Sequence, residues 1–128
     1  MFAKNTRRAF TLIEIMIVVL IIGILLAIAV PNFVRARESS RQKACIANLK
    51  QIQSANEQWA MDTRAGATTA PPAITALVGP ALYIKQTPVC PAGGKYDNAV
   101  TIAGNPTCSY GTTGGSEFNH ALPDAPGS

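Results

Sequence analysis

FTLIEIMIVVLIIGILLAIAV, residues 10–30, decides how this chain reads. Eighteen of its 21 residues are apolar, interrupted by Thr11, Glu14 and Gly23. As a helix rising about 1.5 Å per residue, the stretch covers roughly 30 Å, enough to cross the hydrocarbon of a bilayer. The preceding MFAKNTRRA, residues 1–9, carries Lys4, Arg7 and Arg8 and no acid. A basic flank of this kind stays on the cytoplasmic side. Pro31 follows the run. It has no N–H to donate and crowds the turn before it, so a kink is expected there.

Averages over the whole chain describe neither of its parts. The 128 residues are 48% hydrophobic and 14% charged, with a formal net charge of +4. That length allows one small domain and excludes most enzymes that need a large two-layer scaffold. The net charge taken alone suggests a nucleic-acid or anionic-membrane partner. Three of the eleven bases, however, lie in the first nine residues, leaving eight bases against seven acids. Beyond the leader there is no basic stripe with interleaved aromatics, so nucleic acid is not an expected partner.

From residue 32 the sequence turns polar and helix-favouring. Cys45, Leu49, Ile52, Asn56 and Trp59 recur at steps of 4, 3, 4 and 3, and Ile46 and Ala55 widen the stripe. This is the buried face of an amphipathic helix, with Gly66 as its expected stop. A single kinked helix over both parts would be roughly 80 Å long. Residues 66–88 hold five Gly or Pro (Gly66, Pro71, Pro72, Gly79, Pro80) before Pro88, and read as a connector. Within it Leu82, Tyr83 and Ile84 are expected to pack back on the stripe. From residue 89 the signals change to turns and short strands. Gly93-Gly94 and Gly104-Asn105-Pro106 bracket Lys95 to Ile102, where Val100 and Ile102 alternate around Thr101. A small antiparallel sheet over about residues 93–110 is expected, and beyond Gly111 an irregular Gly-, Ser- and Pro-rich tail.

Glu14 is the residue that a plain membrane anchor does not need. A carboxylate deep in a bilayer costs about 2.5–3.5 kcal/mol even on the lenient insertion scale. A cation beside it offsets that cost. Cleavage after Ala9 would create one, the α-amino group of Phe10, four residues from Glu14 in the same chain or beside a neighbour's Glu14 in a staggered array. Snorkelling at the membrane edge is the plainer alternative.

Phe10-Thr11-Leu12-Ile13-Glu14, the apolar run through Ile21-Ile22-Gly23-Ile24-Leu25, and Ala27-Ile28-Ala29-Val30-Pro31-Asn32-Phe33 together resemble the N-terminal signature of type IV pilins and type II secretion pseudopilins. The resemblance is close over residues 7–34. Beyond them it is one of architecture alone. It implies that a membrane aspartyl prepilin peptidase cuts between Ala9 and Phe10 and N-methylates Phe10. It also implies that Glu14 acts in subunit registration, and that the helix between Gly23 and Pro31 is able to unwind in the filament. Both Gly and Pro weaken helix, which suits that last role. The family usually has Gly before the cut where this chain has Ala9, which puts cleavage efficiency in question. The implied partners are identical or related pilin subunits, the prepilin peptidase, membrane lipid before assembly, and an inner-membrane assembly platform with a separate ATPase. The implied location is the bacterial inner membrane, single-pass with the N-terminus cytoplasmic, and then a periplasmic or surface filament.

Two other targeting readings use the same residues. Ala27-Ile28-Ala29 fits a secretory signal cleaved near Ala29, which would release a soluble binding module. Thr6-Arg7-Arg8-Ala9-Phe10 resembles a twin-arginine signal. The apolar run is long for the first and too hydrophobic for the second, and Glu14 is out of place in both.

Cys45, Cys90 and Cys108 make an odd set for an exported chain. Cys90 and Cys108 flank the expected sheet. A disulfide between them would close a loop of about 18 residues and contribute about 3 kcal/mol in the chain-entropy model. Cys45 would then be a buried helical thiol, although bridges using Cys45 are alternatives. A zinc set of Cys45, Cys90, Cys108 and His120 has suitable ligand types but no supporting spacing, and no metal is expected. His120 reads as a surface or tail residue. Glu38, Glu57 and Asp62 read as solvated helix positions, Asp97 and Asp124 as turn residues, and no oxygen-rich calcium loop is evident. No nucleotide-binding loop or catalytic set stands out, so neither an enzyme nor a cofactor is expected.

The expected fold class is α+β: a long kinked N-terminal α-helix, membrane half plus amphipathic half, with a small antiparallel β-sheet head. The expected divisions are a leader at 1–9, a transmembrane and filament-core helix at 10–31, and an amphipathic helix at 32–65. A connector at 66–88, a sheet region at 89–110 and an irregular tail at 111–128 complete them.

Overall fold

The computed structural model describes residues 9–112 and 120–122. The chain divides into two units, one ending at Ala36 and the other beginning at Arg37. Helix α1, Leu12–Thr63, runs through that boundary, and Pro31 lies inside it. Because Pro31 has no N–H, the carbonyl of Ala27 loses its usual helical donor there.

In the first unit α1 is bare. From Phe10 to Val34, eighteen large apolar side chains are exposed, none less than 47%. Among the described residues, α1 alone is long and apolar enough to cross a membrane, and that apolar window is 0% buried.

In the second unit one face of α1 supplies the core. Cys45, Leu49, Ile52, Ala55, Asn56 and Ala60 are buried along it, as the stripe predicts, and Trp59 is half-buried at its edge. Two apolar clusters form on that face. Cys45 and Leu49 pack with Cys90, Cys108 and Leu122. One turn on, Ile52 and Ala55 pack with Leu77 and Ile84, with Trp59 and Tyr83 against them. Tyr96 touches both clusters. Of the three connector residues expected to pack back, Ile84 is fully buried and Tyr83 partly so, whereas Leu82 is 49% exposed.

The helix stops earlier than Gly66. Arg64 takes φ 53°, and the Ala65 amide donates to the Ala60 carbonyl at 2.9 Å. The Arg64 amide reaches back to Met61 at 3.4 Å. This pair of bonds is the Schellman ending, with Arg in the left-handed position that Gly usually takes. In the connector, α2, Ile74–Leu77, is a single turn.

The sheet is smaller than the turn signals suggest. Strand β1, Tyr96–Asp97, pairs antiparallel with β2, Thr107–Cys108, with Tyr96 opposite Cys108 and Asp97 opposite Thr107. The Ser109 amide donates to the Lys95 carbonyl, and the Lys95 amide to Ser109 Oγ, which extends the pairing by one step. A short turn of helix, α3, Ser109–Thr112, follows. The Val100–Ile102 alternation is not a strand. Val100 is 88% exposed, and the amides of Ile102 and Ala103 donate to the carbonyls of Thr69 and Ala67 in the connector. The expected irregular tail falls mostly outside the described residues. His120 and Leu122 are buried, so this part of the chain returns to the core.

Candidate functional site

The start of α1 is capped by Thr11. Thr11 is the residue before the first helical one, and its Oγ1 accepts from the Glu14 amide at 3.4 Å. The cap satisfies one helix-end donor, and Glu in the first turn complements the positive end of the helix dipole. Glu14 therefore has a local role that the registration reading did not include. The signal was in the sequence, as Thr-x-x-Glu ahead of an apolar run.

The residues singled out at this end sit on open surface. Ala9 and Phe10 precede the helix and are exposed, Phe10 at 78%, and Glu14 is exposed. At Gly23 an added Cβ would meet nothing within 4 Å. Among the described residues no side chain covers the apolar run from Phe10 to Val34.

The second site lies in the head. Cys45 from α1, Cys90 from the loop after the connector and Cys108 from β2 converge, with all three sulfurs within 4.8 Å of one another. Cys90 and Cys108 are brought together as expected, but as thiols 3.7 Å apart rather than as a disulfide, whose bond is about 2.05 Å. Cys45 is buried as expected, yet it is a member of the group and not a spare.

The three thiols differ in how easily they ionise. Burial pushes Cys45 up to about 12, with a Tyr96 contact opposing it. Burial also raises Cys108, against the Tyr110 amide. At Cys90 burial acts in the same direction, but the amides of Ala92 and Gly94 and the neighbouring thiols outweigh it, and the thiol lies below its ordinary value. The turn is shaped for this. Gly93 has φ 86°, and a Cβ on Gly94 would stand 2.7 Å from Cys108 Sγ and 2.9 Å from Tyr110 Cβ.

His120 corrects the surface assignment. It is fully buried, its ring centroid lies 4.9 Å from that of Tyr110, and neither ring nitrogen has a hydrogen-bond partner among the described residues. Burial lowers its pKa, with Glu38 opposing. It is not one of the group formed by the three sulfurs. A polar tie that the stripe did not reveal is Asn56–Asn98. Asn56 Nδ2 donates to Asn98 Oδ1 at 2.7 Å, and Asn98 Nδ2 donates back at 3.1 Å.

A helix whose apolar side chains are uncovered from Phe10 to Val34, with one carboxylate at its capped start, fits a class of subunit whose N-terminal segment is covered by a membrane or by other helices. The sequence matches the prokaryotic N-terminal methylation motif over residues 4–30. It is 31% identical over 107 residues to type II secretion system core protein G of Escherichia coli (strain K12), which covers 75% of this chain and 74% of that protein. It is 52% identical over 52 residues to type IV major pilin protein PilA of Myxococcus xanthus (strain DK1622), or 41% of this chain and 24% of that protein. With type IV major fimbrial protein FimA of Dichelobacter nodosus it shares 40% identity over 63 residues, spanning 40% of that protein. The chain thus spans about a quarter of PilA and three quarters of protein G. No solved structure matches it. The chain belongs to the type IV pilin and type II secretion pseudopilin family.

Proposed function

We propose that the chain is made as a precursor in the inner membrane, with residues 1–9 on the cytoplasmic side, and is processed there. A prepilin peptidase cuts between Ala9 and Phe10 and methylates the new amine. The subunit then polymerises with copies of itself or related subunits into a pilus or pseudopilus and acts structurally, without catalysis. The observation that carries this reading is the bare apolar surface from Phe10 to Val34 beside the lone carboxylate of Glu14.

The energetics fit a two-environment life. Against water, each covered side chain of this size contributes about 1.5–3 kcal/mol. Against lipid, helix packing gains far less, because the tails are as apolar as Leu. Leaving the bilayer therefore needs work from outside the chain, which is the part assigned to an assembly platform with its own ATPase. Within the filament, Glu14 selects the stagger that gives it a cation, the α-amine of a neighbour's Phe10. Other staggers leave a charge buried without a partner, which typically costs several kcal/mol. The helix between Gly23 and Pro31 is the part suited to open when subunits pack.

Glu14→Gln tests registration cleanly, because Gln keeps the size and polarity of the side chain and removes the charge. The variant is expected to be inserted and cleaved normally and to yield few or no filaments by electron microscopy of sheared material. Wild-type filament numbers in Glu14→Gln would remove registration from the account.

A further inference from the structure

We propose that Cys45, Cys90 and Cys108 form a site for one Zn²⁺ ion, which clamps the head onto helix α1.

Three observations carry this. The first is distance. Two sulfurs bound to one tetrahedral zinc at about 2.3 Å lie about 3.8 Å apart. Cys90 and Cys108 stand at 3.7 Å, and Cys45 joins them with all three sulfurs inside 4.8 Å. The second is a backbone shaped around the sulfurs: a Cβ on Gly94 would stand 2.7 Å from Cys108 Sγ, so a glycine there lets the turn after Cys90 pass close to the group.

The third observation is what the head otherwise has to hold it. Among the described residues its sheet is two residues per strand, and its buried apolar residues form two small clusters. A head with so little sheet gains from a covalent or metal staple. A disulfide would use two of the three sulfurs and leave a thiol buried among them. A metal uses all three, and ties α1, the loop at Cys90 and β2 at one point. Zn²⁺ with three thiolates carries one net negative charge and keeps a fourth position for a neutral ligand. Copper(I) in the same place would carry two, a greater cost in a buried setting. The site uses no residue of the apolar run, and its failure would leave the filament reading untouched.

The test uses the full chain, purified in detergent without reductant or chelator. Metal analysis and native mass spectrometry are expected to give one zinc per chain. After chelation, alkylation should count three free thiols. Refilling with Co²⁺ should give a thiolate-to-cobalt charge-transfer band and the intense visible bands of a tetrahedral site. Cys45→Ser is the discriminating variant. It is expected to weaken zinc binding by at least about tenfold, whereas a Cys90–Cys108 disulfide would leave Cys45 irrelevant to metal. The proposal is overturned if the wild-type chain carries no zinc and is two hydrogens lighter, with Cys90 cross-linked to Cys108. It is equally overturned if Cys45→Ser binds zinc as the wild type does.

Discussion

Asn56→Ala probes how the head is fastened to its helix. Asn56 is 1% exposed on the buried face of α1 and exchanges two hydrogen bonds with Asn98. Asn98 also donates to the Pro72 carbonyl at 2.6 Å and accepts from the Ala99 amide at 2.9 Å. One amide pair thus joins helix, connector and the loop after β1. Removing the Asn56 side chain deletes two bonds worth about 1 kcal/mol each and takes one partner from the half-buried Asn98 amide, which keeps Pro72 and Ala99. The total loss is about 2–4 kcal/mol. For a head of this size, that lowers the melting temperature by roughly 10–20 °C. The far-ultraviolet signal is dominated by α1, so the assay is near-ultraviolet circular dichroism of Trp59 and the tyrosines in detergent-held full chain. Asn98→Ala should cost at least as much, because it also releases Pro72 and Ala99. The double variant should fall short of the sum of the two by about 1 kcal/mol or more. A change under about 0.5 kcal/mol for Asn56→Ala, or strict additivity, would refute the reasoning.

The remaining predictions concern packing, pH and processing. Gly94→Ala forces a methyl to within 2.7 Å of Cys108 Sγ and 3.1 Å of the Tyr110 amide nitrogen, so it should destabilise the head by about 1–3 kcal/mol in the same melting assay. His120 is buried with a lowered pKa, so the unfolded chain takes up a proton near the ordinary value of 6.5 while the folded chain resists it. Its contribution is complete above that pH and is lost as pH falls toward the folded pKa. The wild-type melting temperature should drop between about pH 7 and pH 5, and His120→Leu should flatten that part of the curve; equal slopes would exclude His120 as the cause. Ala9→Leu should leave uncut precursor in the membrane fraction by immunoblot, if the proposed cut after Ala9 needs a small residue there.

The parts legible in the sequence were those written by a period or by bulk. The apolar run from Phe10 announced the membrane-length helix, and the 4-3-4-3 spacing from Cys45 to Trp59 announced its buried face further on. What escaped depended on partners distant in sequence. Asn56 was on the stripe, but nothing local marked Asn98 as its partner 42 residues away. Counting cysteines pairs them by number and leaves Cys45 as the odd thiol, while the fold brings three sulfurs to one point. His120 lies between stretches of Gly, Ser and Pro that look like a frayed end, and composition does not show that Leu122 beside it reaches the core. The Val100–Ile102 alternation was too short to separate a strand from a loop, and its amides bond the connector instead. The Thr11 cap was readable locally, as Thr-x-x-Glu, and was obscured by the stronger question of a charge in an apolar helix.

The central claim is that this chain is a processed pilin-type subunit. Mass spectrometry of the N-terminal peptide of the mature, exported protein addresses it most directly. The account predicts a chain beginning at Phe10 with one methyl group on its amine. A chain beginning at Val30, or one that retains residues 1–9 in the exported fraction, would contradict it.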